Sequence, residues 1–129
     1  FYLVMGTMFV HRKDYAQAKF FFAGFGQTTG INWPYQIVDA MNDIDKGNVQ
    51  QGLKKIKKMT EDPSVPEPVR IALKGPLEEI ENTTGDVNSR LFWPKAISSI
   101  LFKELKNSGD EKLKELGKMM EDISQKVSL

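Results

Sequence analysis

The chain has 129 residues, of which 40% are hydrophobic and 27% charged, and its formal net charge is +1. This composition excludes a disordered chain and a strongly basic nucleic-acid-binding protein. The chain has no cysteine and one histidine, which excludes a disulfide scaffold and thiolate or histidine-rich metal sites and leaves the compartment open. We expect residues 1–129 to form a single domain or part of a longer repeat protein.

The first two predicted helices lie within residues 1–25. The apolar segment over residues 1–10 has about half the length of a membrane span. Basic residues follow it, whereas a signal peptide places them first, so we predict a buried helix over residues 1–12. No capping residue precedes this helix, so we also expect further sequence upstream. Asp14 can cap a second helix that runs to about Phe25 and closes at glycine residues.

Two further helices are predicted between residues 34 and 61. Pro34 suits the first turn of the third helix, which ends at Lys46-Gly47-Asn48. The fourth helix has an apolar stripe on one face and lysines on the other. The lysines are Lys54, Lys55, Lys57 and Lys58. No aromatic residue interleaves with them, as single-stranded nucleic acid would require, so we interpret them as a solvated face and expect no nucleic-acid partner.

The second half of the chain contains stronger helix breakers. Three prolines predict an extended connector over residues 61–68. A fifth helix follows over residues 69–82, and Gly75-Pro76 is predicted to break or kink it. A sixth helix is predicted to begin at Pro94.

The seventh predicted helix is amphipathic and closes the chain. Ser108 and Glu111 have the spacing of a capping box at its start. Its predicted inward residues are Leu113, Leu116, Met119, Met120, Ile123 and Val127. No segment of the sequence alternates as a strand would, so the predicted fold class is all-α with about seven helices.

An internal repeat of 34 residues relates the first two pairs of helices. It carries Gly6 to Ala40, Ala18 to Gly52 and Phe22 to Ile56, so small residues fall on small ones and large residues on large ones. Small residues at such positions allow two helices to approach closely. The repeat therefore predicts two antiparallel helical hairpins.

The pattern resembles the tetratricopeptide repeat (TPR), whose signature is W-x2-L-G-x2-Y, then A-x3-F, then P. The matching residues are Tyr2, Met5, Gly6, Phe9, Ala18 and Phe22. The resemblance covers residues 1–64 and implies two TPR-like hairpins stacked as a short superhelix. Residues 69–129 form a three-helix segment without a third copy.

No catalytic constellation is predicted. His11 lacks an orienting acid, because Asp14 is expected to cap a helix. The glycine-rich residues 24–30 lack the Gly-Lys-Ser/Thr ending of a phosphate-binding loop. Asp39 and Asp43 share a helix face, but no histidine lies nearby, so we interpret them as solubilising charges. We expect a non-enzymatic protein without a metal site or cofactor.

Two functional hypotheses remain open. The first is a protein–protein interaction module in which the first helix of each hairpin lines a groove for a peptide or helix of another protein. Its candidate contact residues are Thr7, Val10, His11, Asn42, Asp45 and Lys46. The second is an assembly subunit that forms a homo-oligomer through its aromatic N-terminal helices. Residues 69–129 either continue the superhelix or fold back across its groove.

Overall fold

The computed structural model describes residues 1–83 and 99–128, with side chains described for residues 1–78 and 99–126. Within these ranges the fold is all-α, as predicted, and contains no strand. The helices are α1 (Tyr2–His11), α2 (Tyr15–Thr29), α3 (Trp33–Asp45), α4 (Val49–Glu61), α5 (Glu67–Thr83), α6 (the helical residues 99–106) and α7 (Glu111–Ser128). None of the described helices combines the length and hydrophobicity of a membrane-spanning segment.

The first five helices stack in chain order as antiparallel hairpins. Helix α1 packs on α2, α2 on α3, α3 on α4 and α4 on α5. This arrangement is consistent with a helical repeat. The last helix does not extend the stack, because α7 packs against α1 at its beginning. The chain therefore folds back on its own N-terminal hairpin.

Small residues set the spacing of both hairpins, as the 34-residue repeat predicts. A Cβ added at Gly6 would lie 2.8 Å from the ring of Phe22, and one added at Gly52 would lie 2.7 Å from the carbonyl oxygen of Ala40. Real Cβ atoms do not approach other atoms so closely. Glycine at these two positions therefore allows α1 and α2, and likewise α3 and α4, to pack in direct contact.

The ends of α2 confirm one prediction and correct another. The side chain of Asp14 accepts a hydrogen bond from the backbone N–H of Gln17 at 3.2 Å, as a helix cap does. The helix ends at Thr29, with Gly30 at φ 78° as its left-handed cap, rather than near Phe25. Gly24 lies inside the helix, where a Cβ would come within 2.6 Å of the Tyr2 ring, so its role is close packing rather than termination.

The predicted break at Gly75-Pro76 does not occur, because α5 continues through Pro76. Proline normally clashes with the Cβ of the residue before it when that residue is helical. Gly75 has no Cβ, so this clash is absent. The ring of Pro76 is fully buried, and its packing offsets part of the lost backbone hydrogen bond.

The start and inner face of α7 also differ from the prediction. Asp110 caps the helix by accepting from the backbone N–H of Lys112 at 2.9 Å. Ser108 instead accepts from the backbone N–H of Asp110, so the expected capping box is replaced by two successive turns. Met119 is 53% exposed, whereas Met120 is 7% exposed. The predicted start of the sixth helix at Pro94 and the predicted inward side chain of Val127 lie outside the described residues.

Candidate functional site

The face that α1 and α3 share is covered by α6 and α7. A cavity of about 50 Å³ lies where these helices meet and is open on one side. Residues that line it include Thr7, Val10 and His11 of α1, Val38 of α3, Phe102 of α6 and Met120 of α7. The chain's own C-terminal helices therefore lie against the face where the sequence analysis placed a partner-binding groove.

The structure brings together three of the six predicted contact residues. Thr7, Val10 and His11 all line the cavity; Thr7 is buried, Val10 is half-buried and His11 is exposed at the end of α1.

The other three predicted contact residues lie near the end of α3 and do not line this cavity. Asn42 is buried, whereas Asp45 and Lys46 are exposed. Thr7 and Asn42 are both buried and therefore present almost no surface to a partner.

Two buried polar atoms belong to residues that line this cavity. Thr7 Oγ1 and Trp33 Nε1 have no hydrogen-bond partner among the described protein groups. The two residues are only 4% and 3% exposed. Trp33 was not among the predicted site residues. The sequence signal for this residue was Pro34, which places Trp33 in the first turn of α3.

A network of ion pairs joins α2, α3 and α4 on another face. Asp39 lies 2.8 Å from both Lys19 Nζ and Lys55 Nζ, through its two carboxylate oxygens. Lys55 Nζ is also 2.6 Å from an oxygen of Asp43. The interpretation of these carboxylates as merely solubilising is thus wrong. Lys55 differs from its neighbouring lysines, which remain exposed as predicted.

The network shifts the pKa values of its members. Burial raises the pKa of Asp39, but hydrogen bonds from Lys19 and Lys55 outweigh it, so the pKa lies below its ordinary value. Hydrogen bonding to Asp39 raises the pKa of Lys19, and hydrogen bonding to Asp39 and Asp43 raises the pKa of Lys55. All these shifts favour the charged forms. The network therefore stabilises the contact between helices at neutral pH.

The buried Tyr15 hydroxyl is held in its neutral form. Burial, with a smaller contribution from the charge of Asp45, raises the pKa of Tyr15 to about 12. A phenol with this pKa is fully protonated at neutral pH, so it offers no general base. Among the described residues, no group of three or more histidine, cysteine or acidic side chains could hold a metal ion.

Aromatic rings form a cluster on the outer side of α1 and α2, which we call the aromatic surface: Phe1, Tyr2, Phe9, Phe20 and Phe21. The rings of Phe9 and Phe21 are stacked with centroids 5.5 Å apart, and the Phe20 ring packs edge-on to Phe21 at 5.3 Å. Phe1 is 83% exposed and Phe20 is 69% exposed. The helices on either side of α2 therefore leave part of this cluster at the surface.

Comparisons of the chain with protein-family models, curated proteins and solved structures give no match.

Proposed function

We propose that this chain is a non-enzymatic protein-binding module of TPR-like hairpins, whose α1–α3 groove takes an amphipathic helix of another protein. One observation carries the proposal: an amphipathic helix of the same chain, α7, already packs on α1 and places Met120 in the cavity between α1 and α3. The inward residues of α7 include Leu113, Leu116, Met120 and Ile123. This is the spacing of anchors in helix-in-groove recognition. A partner helix with the same spacing would compete with α7.

Competition with α7 sets the affinity that a partner can reach. When a site is open in only a fraction of the molecules, its apparent affinity falls by that fraction. A substitution that loosens α7 while keeping the hairpins folded should therefore strengthen binding in trans. This expectation distinguishes a groove that exchanges helices from a permanently closed bundle.

A labelled peptide of residues 108–128 provides the test. We expect Met120→Ala to raise the affinity of the full-length protein for this peptide by at least about tenfold. This corresponds to a loss of about 1.4 kcal/mol from the packing of α7 on the rest of the chain. Fluorescence anisotropy would measure the affinity, and circular dichroism would confirm folding. Met119→Ala is the matched control, because Met119 is exposed beside Met120 and should leave the affinity unchanged.

A second peptide controls for specificity. In this second peptide, serine replaces Leu116 and Met120. The change removes two apolar anchors and should abolish saturable binding. The groove assignment is wrong if folded Met120→Ala protein fails to bind the unmodified peptide, or if it binds both peptides equally.

The aromatic surface supports a second candidate function, assembly of a homo-oligomer. Contiguous exposed aromatic side chains are typical of protein contact sites. Light scattering coupled to size-exclusion chromatography should then show a mass that rises with concentration. Phe20→Ser should keep the protein monomeric. The control Ile71→Ser, which alters an exposed apolar residue on α5, should form the same oligomer as the wild type. A monomer at every concentration would rule out this function.

A further inference from the structure

The cavity between the hairpins and α6–α7 has the character of a small-molecule site. Its walls are mostly apolar, including Val38, Phe102 and Met120, and one side is open. Ligand sites typically combine apolar walls with a few fixed polar groups. Thr7 and Trp33 can supply such groups here, because both line the cavity and each carries a buried polar atom that has no hydrogen-bond partner among the described residues.

The chemistry of these two atoms defines what they would bind. The indole Nε1–H of Trp33 can only donate a hydrogen bond, whereas the Thr7 hydroxyl can donate or accept one. Leaving a buried polar group unpaired is unfavourable. A carbonyl or hydroxyl oxygen in the cavity could accept from Trp33, and a hydroxyl could also pair with Thr7.

We propose that this cavity binds a small apolar group that carries one hydroxyl or carbonyl oxygen. Its volume of about 50 Å³ is roughly a third of the ~150 Å³ cavity that holds a benzene molecule. By the same proportion, the enclosed part of the ligand is about two heavy atoms. The open side permits a longer ligand to extend outward. The site is complete only while α6 and α7 are in place, so a ligand in the cavity and a partner helix that displaces α7 would exclude each other.

Nuclear magnetic resonance on the full chain, with propan-2-ol as the probe, tests the site. The chain has two tryptophans, so Trp93→Phe leaves the Trp33 indole N–H as the single indole signal. We expect a saturable downfield shift of this signal, with a Kd in the millimolar range for a probe of about four heavy atoms. Xenon, which cannot form a hydrogen bond, should perturb cavity methyl groups without the same indole shift.

A matched variant isolates the Thr7 hydroxyl. Thr7→Val keeps the shape of the side chain and removes its hydrogen-bonding group. It should weaken propan-2-ol binding by about fivefold to tenfold, and it should leave xenon binding unchanged. Because Thr7→Val retains an apolar group of similar size, the variant should remain folded, and the dispersion of its amide signals would verify this.

Trp33 also borders a second, more polar cleft of about 340 Å³ that includes Asn32, Gln36 and Ser64. Asn32→Ala changes that cleft and leaves the lining of the apolar cavity intact. We expect it not to change propan-2-ol binding. If Asn32→Ala weakens binding and Thr7→Val does not, the assignment to the apolar cavity is overturned.

The length of the probe distinguishes a free small molecule from the end of a larger one. If longer 2-alkanols bind up to about fourfold more tightly per added methylene, the open side holds the remainder of a larger ligand. If affinity falls beyond propan-2-ol or butan-2-ol, the site holds a free small molecule. Shifts that stay linear with concentration would show that the probe has no specific site in the cavity, and equal shifts in Thr7→Val would show that the Thr7 hydroxyl does not bind it; either result would overturn the proposal.

Discussion

At the scale of single residues, glycine controls how closely α3 and α4 approach. A Cβ at Gly52 would lie 2.5 Å from Ile44 Cγ1 and 2.7 Å from the backbone oxygen of Ala40. The Ile44 side chain can move to some extent, but the backbone oxygen can move only with its helix. We expect Gly52→Ala to lower the free energy of unfolding by about 1–3 kcal/mol, measured by urea denaturation.

Gly109 provides the control for this substitution. It lies between α6 and α7, and a Cβ there would meet no atom within 4 Å. Gly109→Ala should change the free energy of unfolding by less than about 0.5 kcal/mol. Equal effects of the two substitutions would contradict the close contact between α3 and α4.

Asp39 makes the stability depend on pH. Its pKa is lower in the folded protein than in the unfolded chain, so the stabilisation is present above the unfolded pKa, near 4. It is lost as the pH falls through the folded pKa, because protonation removes the charge that pairs with Lys19 and Lys55. We expect Asp39→Asn to lower the free energy of unfolding by about 1 kcal/mol at pH 7.

The difference between wild type and Asp39→Asn should shrink as the pH is lowered from 7 to 3 in urea titrations. Asp122→Asn, which alters an exposed carboxylate on α7, should show no comparable difference at pH 7. A difference for Asp39→Asn that stays constant down to pH 3 would show that charge pairing is not its source.

At the scale of helices, the face that α7 turns inward decides whether the groove is covered. Met120 is buried against the groove, and the adjacent Met119 points largely to solvent. Met120→Ala should lower the free energy of unfolding by about 2–3 kcal/mol, and Met119→Ala by less than about 0.5 kcal/mol. Thermal denaturation of both variants would measure the two losses of stability. A larger loss for Met119→Ala than for Met120→Ala would show that the other face of α7 packs inward.

Helix α5 shows that the helix-breaking effect of proline depends on the residue that precedes it. Proline inside a helix usually breaks or bends it. Here glycine precedes the proline, which removes the side-chain clash that disfavours helix at that position. The packing of Pro76 in the core then favours the continuous helix. Neighbouring residues and burial together outweighed the intrinsic preference of proline.

At the scale of the whole molecule, contact between α1 and α7 joins the two ends of the described chain. For this reason we expect the hairpins and the C-terminal helices to unfold globally in one transition, whereas helix exchange in the groove requires only local opening of α7. In Trp93→Phe protein, fluorescence reports Trp33 alone, while far-ultraviolet circular dichroism reports all helices. Their urea transitions should coincide. Two separate transitions would indicate that residues 1–64 and 69–129 unfold independently.

The sequence by itself determined the helices and the spacing of the hairpins. The positions of Gly6, Ala40 and Gly52 revealed the close helix crossings, because contacts within a hairpin involve residues near in sequence and leave a periodic pattern. The cap at Asp14 was readable for the same reason. These features depend on local geometry, and the close helix crossing recurs 34 residues later.

Only the tertiary structure decided where the C-terminal helices lie and what they cover. The apolar stripe of α7 predicts that this helix packs on another apolar surface, but it does not identify that surface. The return of α7 to α1, the pairing of Lys55 with Asp39 and the joint position of Thr7 and Trp33 at one cavity all depend on contacts between distant segments. Such contacts carry no periodic signal in a single sequence, so the fold alone brings these residues together.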